Sequence, residues 1–102
     1  MVQKKVTVIG GSGFVGTNLC MRLQEQNWDF EIVDLKISNR FPEKSKIGDV
    51  RDISSLNRTI TGEIVINLAA VHRDDVSDKL EYHSTNVDGA KNIAEVCKNK
   101  KI

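Results

Sequence analysis

The sequence predicts an α/β fold built as a doubly wound parallel sheet with strand order 3-2-1-4. Three observations carry that expectation. Short apolar, β-branched runs recur along the chain and alternate with stretches of helical periodicity. The first three runs stop at Gly10, Asp34 and Asp49, residue types that end strands and start turns. Strands separated by helices pair in parallel through right-handed crossovers, which leaves the first strand central. Ligands of such sheets bind beyond the carboxyl ends of the strands, at the switch point between strands one and four.

The first strand and helix lie in KKVTVIGGSGFVG, Lys4 to Gly16. Val6, Val8 and Ile9 form an apolar run that enters a glycine turn at Gly10 and Gly11. Glycines then recur at Gly10, Gly13 and Gly16, and Phe14, Val15, Leu19 and Leu23 continue as an apolar helical pattern. Gly10 permits backbone angles that a Cβ would forbid. Gly13 stands where the helix begins, so that a pyrophosphate can approach the backbone. Gly16 lets the helix lie close to its own strand. The N–H groups that open a helix carry about half an elementary charge and favour a phosphate.

Gln24, Glu25 and Gln26 mark a polar face, and Asn27 suits a left-handed helix stop. Phe30, Ile32 and Val33 make the second strand, which ends at Asp34. Leu35 to Lys46 contains Ser38, Asn39 and the single proline, Pro42, and reads as a loop. Ile47 to Val50 is expected as the third strand. In DISSLNRTI, Asp52 can cap a helix whose Ile53, Leu56 and Ile60 recur at helical spacing, with Gly62 ending it. Glu63 to Ala70 is the fourth and most apolar strand. A polar loop runs through Asp78, and a last helix is expected from about Leu80 to Asn99. Its stripe is Val87, Ala90, Ala94 and Cys97, with Ile93 beside it.

The 102 residues suit one small domain. Basic and acidic residues number 15 and 14, so no electrostatic case exists for nucleic acid. Val6 to Ile9 is far too short for a signal or membrane segment, so no membrane partner is expected. Cys20 and Cys97 fall in helical patterns without metal-ligand spacing; they read as packing residues in a reducing cytoplasm, and no metal site is expected. The terminal KNKK reads as a solvated helix end, where cations suit the dipole.

The glycine spacing is G-x-x-G-x-x-G rather than the commonest G-x-G-x-x-G. It resembles the short-chain dehydrogenase/reductase superfamily, and GGSGFVG resembles its extended branch, the NAD-dependent sugar-nucleotide epimerases and dehydratases, whose sheet is Rossmann-type. Strand, glycine turn, helix and a strand-end acid, Asp34, 24 positions after Gly10 form the context that gives the motif weight. The resemblance implies NAD as cofactor, held around Gly10, Gly13, Phe14, Val15 and Gly16. Asp34 would accept the adenosine ribose hydroxyls and repel a 2′-phosphate, favouring NAD over NADP although Lys36 and Arg40 are near.

Asp49 and Val50 of GDVRD resemble the family's Asp-Val or Asp-Leu pair: the carboxylate accepts from the adenine amino group, and the next backbone N–H donates to the ring. NLAA resembles the family's HxAA or NxAG element, with Asn67 first; Leu68, Ala69 and Ala70 are small enough to pass beneath the cofactor. Asn86, in NVDGAKN, resembles the family's structural or proton-relay asparagine, and reads nearly as readily as a helix-start residue. His72 lies past the fourth strand, and a lone loop histidine is left out of the site.

The family's chemistry rests on a serine or threonine after the next strand and on Tyr-x-x-x-Lys, the tyrosine serving as general acid/base. Here the single tyrosine, Tyr82, is followed four residues on by Asn86. The resemblance, which spans Val2 to Ile102, therefore implies the N-terminal, NAD-binding part of such an enzyme, cut before the fifth strand. It would bind cofactor without turnover, the nucleotide sugar being the partner of the full-length form. A stand-alone NAD-binding module is the alternative. Strand four would be an open, apolar edge, and self-association through Ile64 to Ala69 is expected.

Overall fold

The computed structural model describes residues 4–69 and 84–102. Four parallel strands form one sheet in the order β3-β2-β1-β4: β1 (Val6–Ile9), β2 (Phe30–Asp34), β3 (Ser45–Ile47) and β4 (Ile64–Asn67). β1 pairs with β2 from Val6–Phe30 to Ile9–Val33, and with β4 from Val6–Ile64 to Ile9–Asn67. The predicted strand order and the central place of β1 are both observed. Among the described residues the outer edge of β4 has no partner strand.

Alternation of side chains along each strand divides the core in two. Val6, Val8, Phe30 and Ile32 pack with Cys20 and the flanking Leu19 and Leu23 of α1 (Phe14–Glu25). On the other face Ile9 and Val33 pack with Leu56 of α2 (Ile53–Thr59), with Val50 and Ile60, and with Ile93 and Val96 of α3 (Gly89–Lys100). Helices on both faces are the doubly wound arrangement. Burial alone pushes the Cys20 thiol up to about 11, which suits a packing residue.

Local expectations held where a single residue decides the geometry. Asn27 is left-handed, with φ of 62°, and ends α1. Asp52 caps α2 by accepting from the Ser54 and Ser55 N–H groups at 3.0 and 3.4 Å.

Five boundaries or faces differ from the sequence reading. β3 is Ser45–Ile47, not Ile47 to Val50, because β2 ends at Asp34, which pairs with Ile47, and leaves nothing beyond it to pair with. The stretch read as loop contains a 3₁₀ turn (Pro42–Lys44) and Phe41, fully buried edge-on to Phe30 with ring centroids 5.3 Å apart. β4 ends at Asn67, where β1 turns away at Gly10; Ala70 lies outside the described residues.

Gly62 does not end α2, since the chain leaves the helix at Ile60. Instead a Cβ on Gly62 would sit 2.5 Å from the Thr7 hydroxyl. Finally, a π-helical turn (Ser84–Asp88) leads into α3, whose buried side is Gly89, Ile93 and Val96 rather than the stripe Val87, Ala90, Ala94 and Cys97. Val87, Ala90 and Ala94 are exposed and Cys97 is half-buried. The branched side chains bury more apolar area than alanines, and they set the helix rotation. The expected start near Leu80 lies outside the described residues.

Candidate functional site: the carboxyl ends of the strands

β1 runs into the turn Gly10–Gly13, and each glycine there meets a different demand. Gly10 has φ of +81°, and a Cβ on it would stand 2.7 Å from the Ala69 nitrogen and 2.8 Å from the Leu68 carbonyl carbon. Conformation and space both exclude a side chain there. A Cβ on Gly16 would lie 2.5 Å from the Gly11 Cα and 2.6 Å from the Gly10 oxygen. The close approach expected at Gly16 is thus to the turn itself, not to the strand. Gly13 differs. It is the N-cap of α1 in extended conformation, and a Cβ there would touch only the Gly10 oxygen, at an ordinary 3.9 Å.

Nothing in the described protein requires a glycine at position 13; its Cβ direction opens outward. The first helical turn is equally uncovered. Gly13 brings no side-chain cap, and Phe14 and Val15 are 85% and 64% exposed. Those two residues, expected as the start of an apolar helix face, are not core. They flank backbone N–H groups at the positive end of a twelve-residue helix.

Asp34 ends β2 beside this turn. Its Oδ2 accepts from the Ser12 N–H at 3.0 Å and its Oδ1 from the Leu35 N–H at 2.7 Å. The carboxylate is half-buried with its orientation fixed. Gly10 and Gly13 through the turn, Asp34 through Ser12, and Leu68 and Ala69 through their contact with Gly10 are therefore brought together at one end of the sheet.

Asp49 and Val50 lie beyond β3 at the same end. The Arg51 guanidinium grips Asp49 with Nε to Oδ1 at 3.0 Å and Nη2 to Oδ2 at 2.9 Å. That grip, against some burial, holds the Asp49 carboxyl below the usual carboxylate range. Val50 is buried in the core, and its carbonyl accepts from Asn92 Nδ2 of α3 at 3.0 Å. Asn86 sits in the π-helical turn before α3. Ala70, His72 and Tyr82 lie outside the described residues.

Residues 6–102 match the NAD dependent epimerase/dehydratase family. The chain belongs to that family. It is 45% identical over 95 residues to N-acetyl-alpha-D-glucosaminyl-diphospho-ditrans,octacis-undecaprenol 4-epimerase of Escherichia coli O157:H7, covering 90% of this chain and 28% of that one. Human sterol-4-alpha-carboxylate 3-dehydrogenase, decarboxylating, is 27% identical over 96 residues, 93% of this chain and 26% of that one. The UDP-glucose 4-epimerase from Bifidobacterium longum, solved in complex with NAD+ and UDP, superposes with a TM-score of 0.84 at 25% identity, over 96% of this chain and 34% of that one. The chain spans about a quarter to a third of the length of these relatives.

Within this epimerase/dehydratase architecture three site residues escaped the sequence reading. Ser12 occupies a variable position of the fingerprint, and its partners belong to another strand. Arg51 follows Asp49 at a spacing that permits a chelate, so GDVRD held a usable signal. Asn92 closes NVDGAKN, but its partner Val50 is distant in sequence and only the fold supplies it. Asp34, by contrast, ends β2 where the sequence placed it.

Proposed function

We propose that this chain is the NAD(H)-binding N-terminal part of an epimerase/dehydratase-type oxidoreductase. The observation that carries the reading is Gly13. Gly10 and Gly16 are demanded by the protein's own packing, whereas the space beside Gly13 stays open over an uncapped helix start. A pyrophosphate fits that position, taking backbone N–H groups that no side chain covers. Asp34 would receive the adenosine ribose, and Asp49 with Val50 the adenine. Leu68, Ala69 and Ala70 would floor the crossing to the nicotinamide, with Asn86 on the far side.

Bound NAD supplies a hydride acceptor and donor. The residues named here would bind and orient it, with Asn86 in the structural or proton-relay place that the resemblance gives it. The catalytic serine or threonine and the Tyr-x-x-x-Lys pair have no counterpart in the 102 residues, so this chain should bind without turnover. For a full-length form the reading is hydride transfer on a sugar carried by a diphosphate, a nucleotide sugar in the first instance. The Escherichia coli relative, named for a diphospho-undecaprenol sugar, widens that class to lipid-linked carriers. Self-association through the outer edge of β4 remains part of the proposal, and sedimentation of wild type against Val65→Lys tests it.

The function is tested by thermal shift. NAD at a hundred times its dissociation constant should stabilise the fold by about 2.7 kcal/mol. In a domain this size that raises the melting midpoint by about 10–20 °C. NADP at the same concentration should do much less, and a panel of nucleotide sugars with NAD should show no turnover. Equal shifts would refute the role given to Asp34, and no shift with either would refute the cofactor reading.

A further inference from the structure

We propose that Ser12 is a positioning residue for cofactor discrimination. By tying the turn after β1 to the loop after β2, it holds Asp34 toward the ribose and keeps that loop's nearest cation away from a 2′-phosphate. The inference rests on the NAD reading above and deepens it.

Ser12 makes two links to the same segment. Its N–H donates to Asp34 Oδ2 at 3.0 Å, and its hydroxyl donates to the Lys36 carbonyl at 2.7 Å. With the Leu35 N–H on Oδ1, each Asp34 oxygen already takes one backbone donor. An ionised carboxylate has about four acceptor sites, so each oxygen keeps capacity for one ribose hydroxyl. The pair of hydroxyls is met by a carboxylate that cannot swing.

The loop beyond Asp34 carries three cations, and two are parked. The Arg40 guanidinium lies 5.0 Å from the centroid of the Phe41 ring, and the Lys44 ammonium 4.6 Å from that of Phe30. Both rings are buried, and the far end of the loop is pinned by Ser38 and Ser45. The Ser38 hydroxyl accepts from the Phe41 N–H at 3.0 Å, and the Ser45 hydroxyl donates to the Phe41 carbonyl at 2.9 Å. Lys36 is exposed and stands two residues after Asp34. Its neighbours Leu35 and Ile37 are exposed as well, so side-chain burial does little to fix this near end. The Ser12 hydroxyl is what holds its backbone. Once released, the long Lys36 side chain can follow a 2′-phosphate, while Asp34 keeps its two backbone donors.

The test measures dissociation constants for NAD and NADP on the full chain, with melting curves, for wild type, Ser12→Ala, Ser12→Thr and Ser12→Ala/Lys36→Met. Losing one hydrogen bond should lower the NADP-to-NAD ratio of dissociation constants by about two- to tenfold in Ser12→Ala. Ser12→Thr keeps a hydroxyl and should keep the ratio. Adding Lys36→Met should restore it, which a merely loosened turn would not do. Should Ser12→Ala fail to fold, Ser12→Gly, native to such turns, replaces it in both arms. An unchanged ratio in a variant that still binds NAD, or a ratio that Lys36→Met leaves low, overturns the proposal and spares the NAD reading. Binding of neither dinucleotide by wild type overturns both.

Discussion

The two ends of the sheet are built from the same four strands and solve opposite problems. Toward the amino ends, Glu31 of β2 is only 3% exposed and is closed in by its own protein. Its carboxylate takes Lys46 Nζ at 2.6 Å, Lys5 Nζ at 3.3 Å, the Thr7 hydroxyl, and the Thr61 N–H and hydroxyl, both at 2.7 Å. Burial pushes Glu31 upward, but Lys46, Thr7 and Thr61 outweigh it and bring its pKa down to about 2. Lys100, in the exposed helix end that the sequence read as solvated, also caps α2, its ammonium donating to the Asn57 and Ile60 carbonyls at 2.7 and 2.6 Å.

At the carboxyl ends the chain leaves a helix start uncapped and a glycine without a packing reason. Buried polar groups satisfied within the protein are stability devices. Polar groups arranged but left open are binding devices under the function proposed above. The comparison therefore predicts that substitutions at the amino end change stability and spare binding, and that the reverse holds beside Gly13.

The largest expected effect marks an exception to that division. Gly10→Ala would force φ of +81° on a residue with a Cβ and press it against the Ala69 backbone. The two costs together come to about 4 kcal/mol, read as a lowered denaturant midpoint. A well-folded Gly10→Ala would show that the turn can relax in a way its contacts deny.

Glu31→Gln comes next, at about 3 kcal/mol, with NAD affinity unchanged. The pH dependence has a definite sign. A carboxyl whose pKa falls from 4.5 in the unfolded chain to about 2 in the fold contributes stability in full above pH 5. That contribution is lost as pH falls through the folded value near 2. Between pH 5 and 2 wild type should lose about 3 kcal/mol more than Glu31→Gln does. Parallel pH curves for the two proteins would contradict the account. Asp52→Ala, which removes the cap on α2, should cost about 1 kcal/mol and leave both ends otherwise intact.

Legibility in the sequence followed the same division between local and assembled features. The strand order, the glycine turn and the acid at the end of β2 were readable because runs of Val and Ile, glycines and one aspartate determine them locally. β3 was misplaced because Ser45–Ile47 has little apolar character and becomes a strand only by pairing with Ile32 to Asp34. Phe41 was missed because a loop has no periodicity to reveal a buried ring. Glu31 stands at an inward position of β2, but its partners come from β1, from β3 and from the turn before β4. No spacing rule links them. Alanines in α3 imitated an apolar stripe that the heavier Ile93 and Val96 overrode.

The central claim is that Gly13 is a glycine for a ligand's sake, and one comparison tests it: melting of wild type and Gly13→Ala, each with and without saturating NAD. In the absence of ligand, a weaker N-cap and a stiffer unfolded chain nearly cancel, so the two should melt within about 0.5 kcal/mol of each other. With NAD, wild type should shift upward and Gly13→Ala should lose most of that shift, because its Cβ occupies the pyrophosphate's approach. A Gly13→Ala protein that retains the full NAD shift would contradict the account.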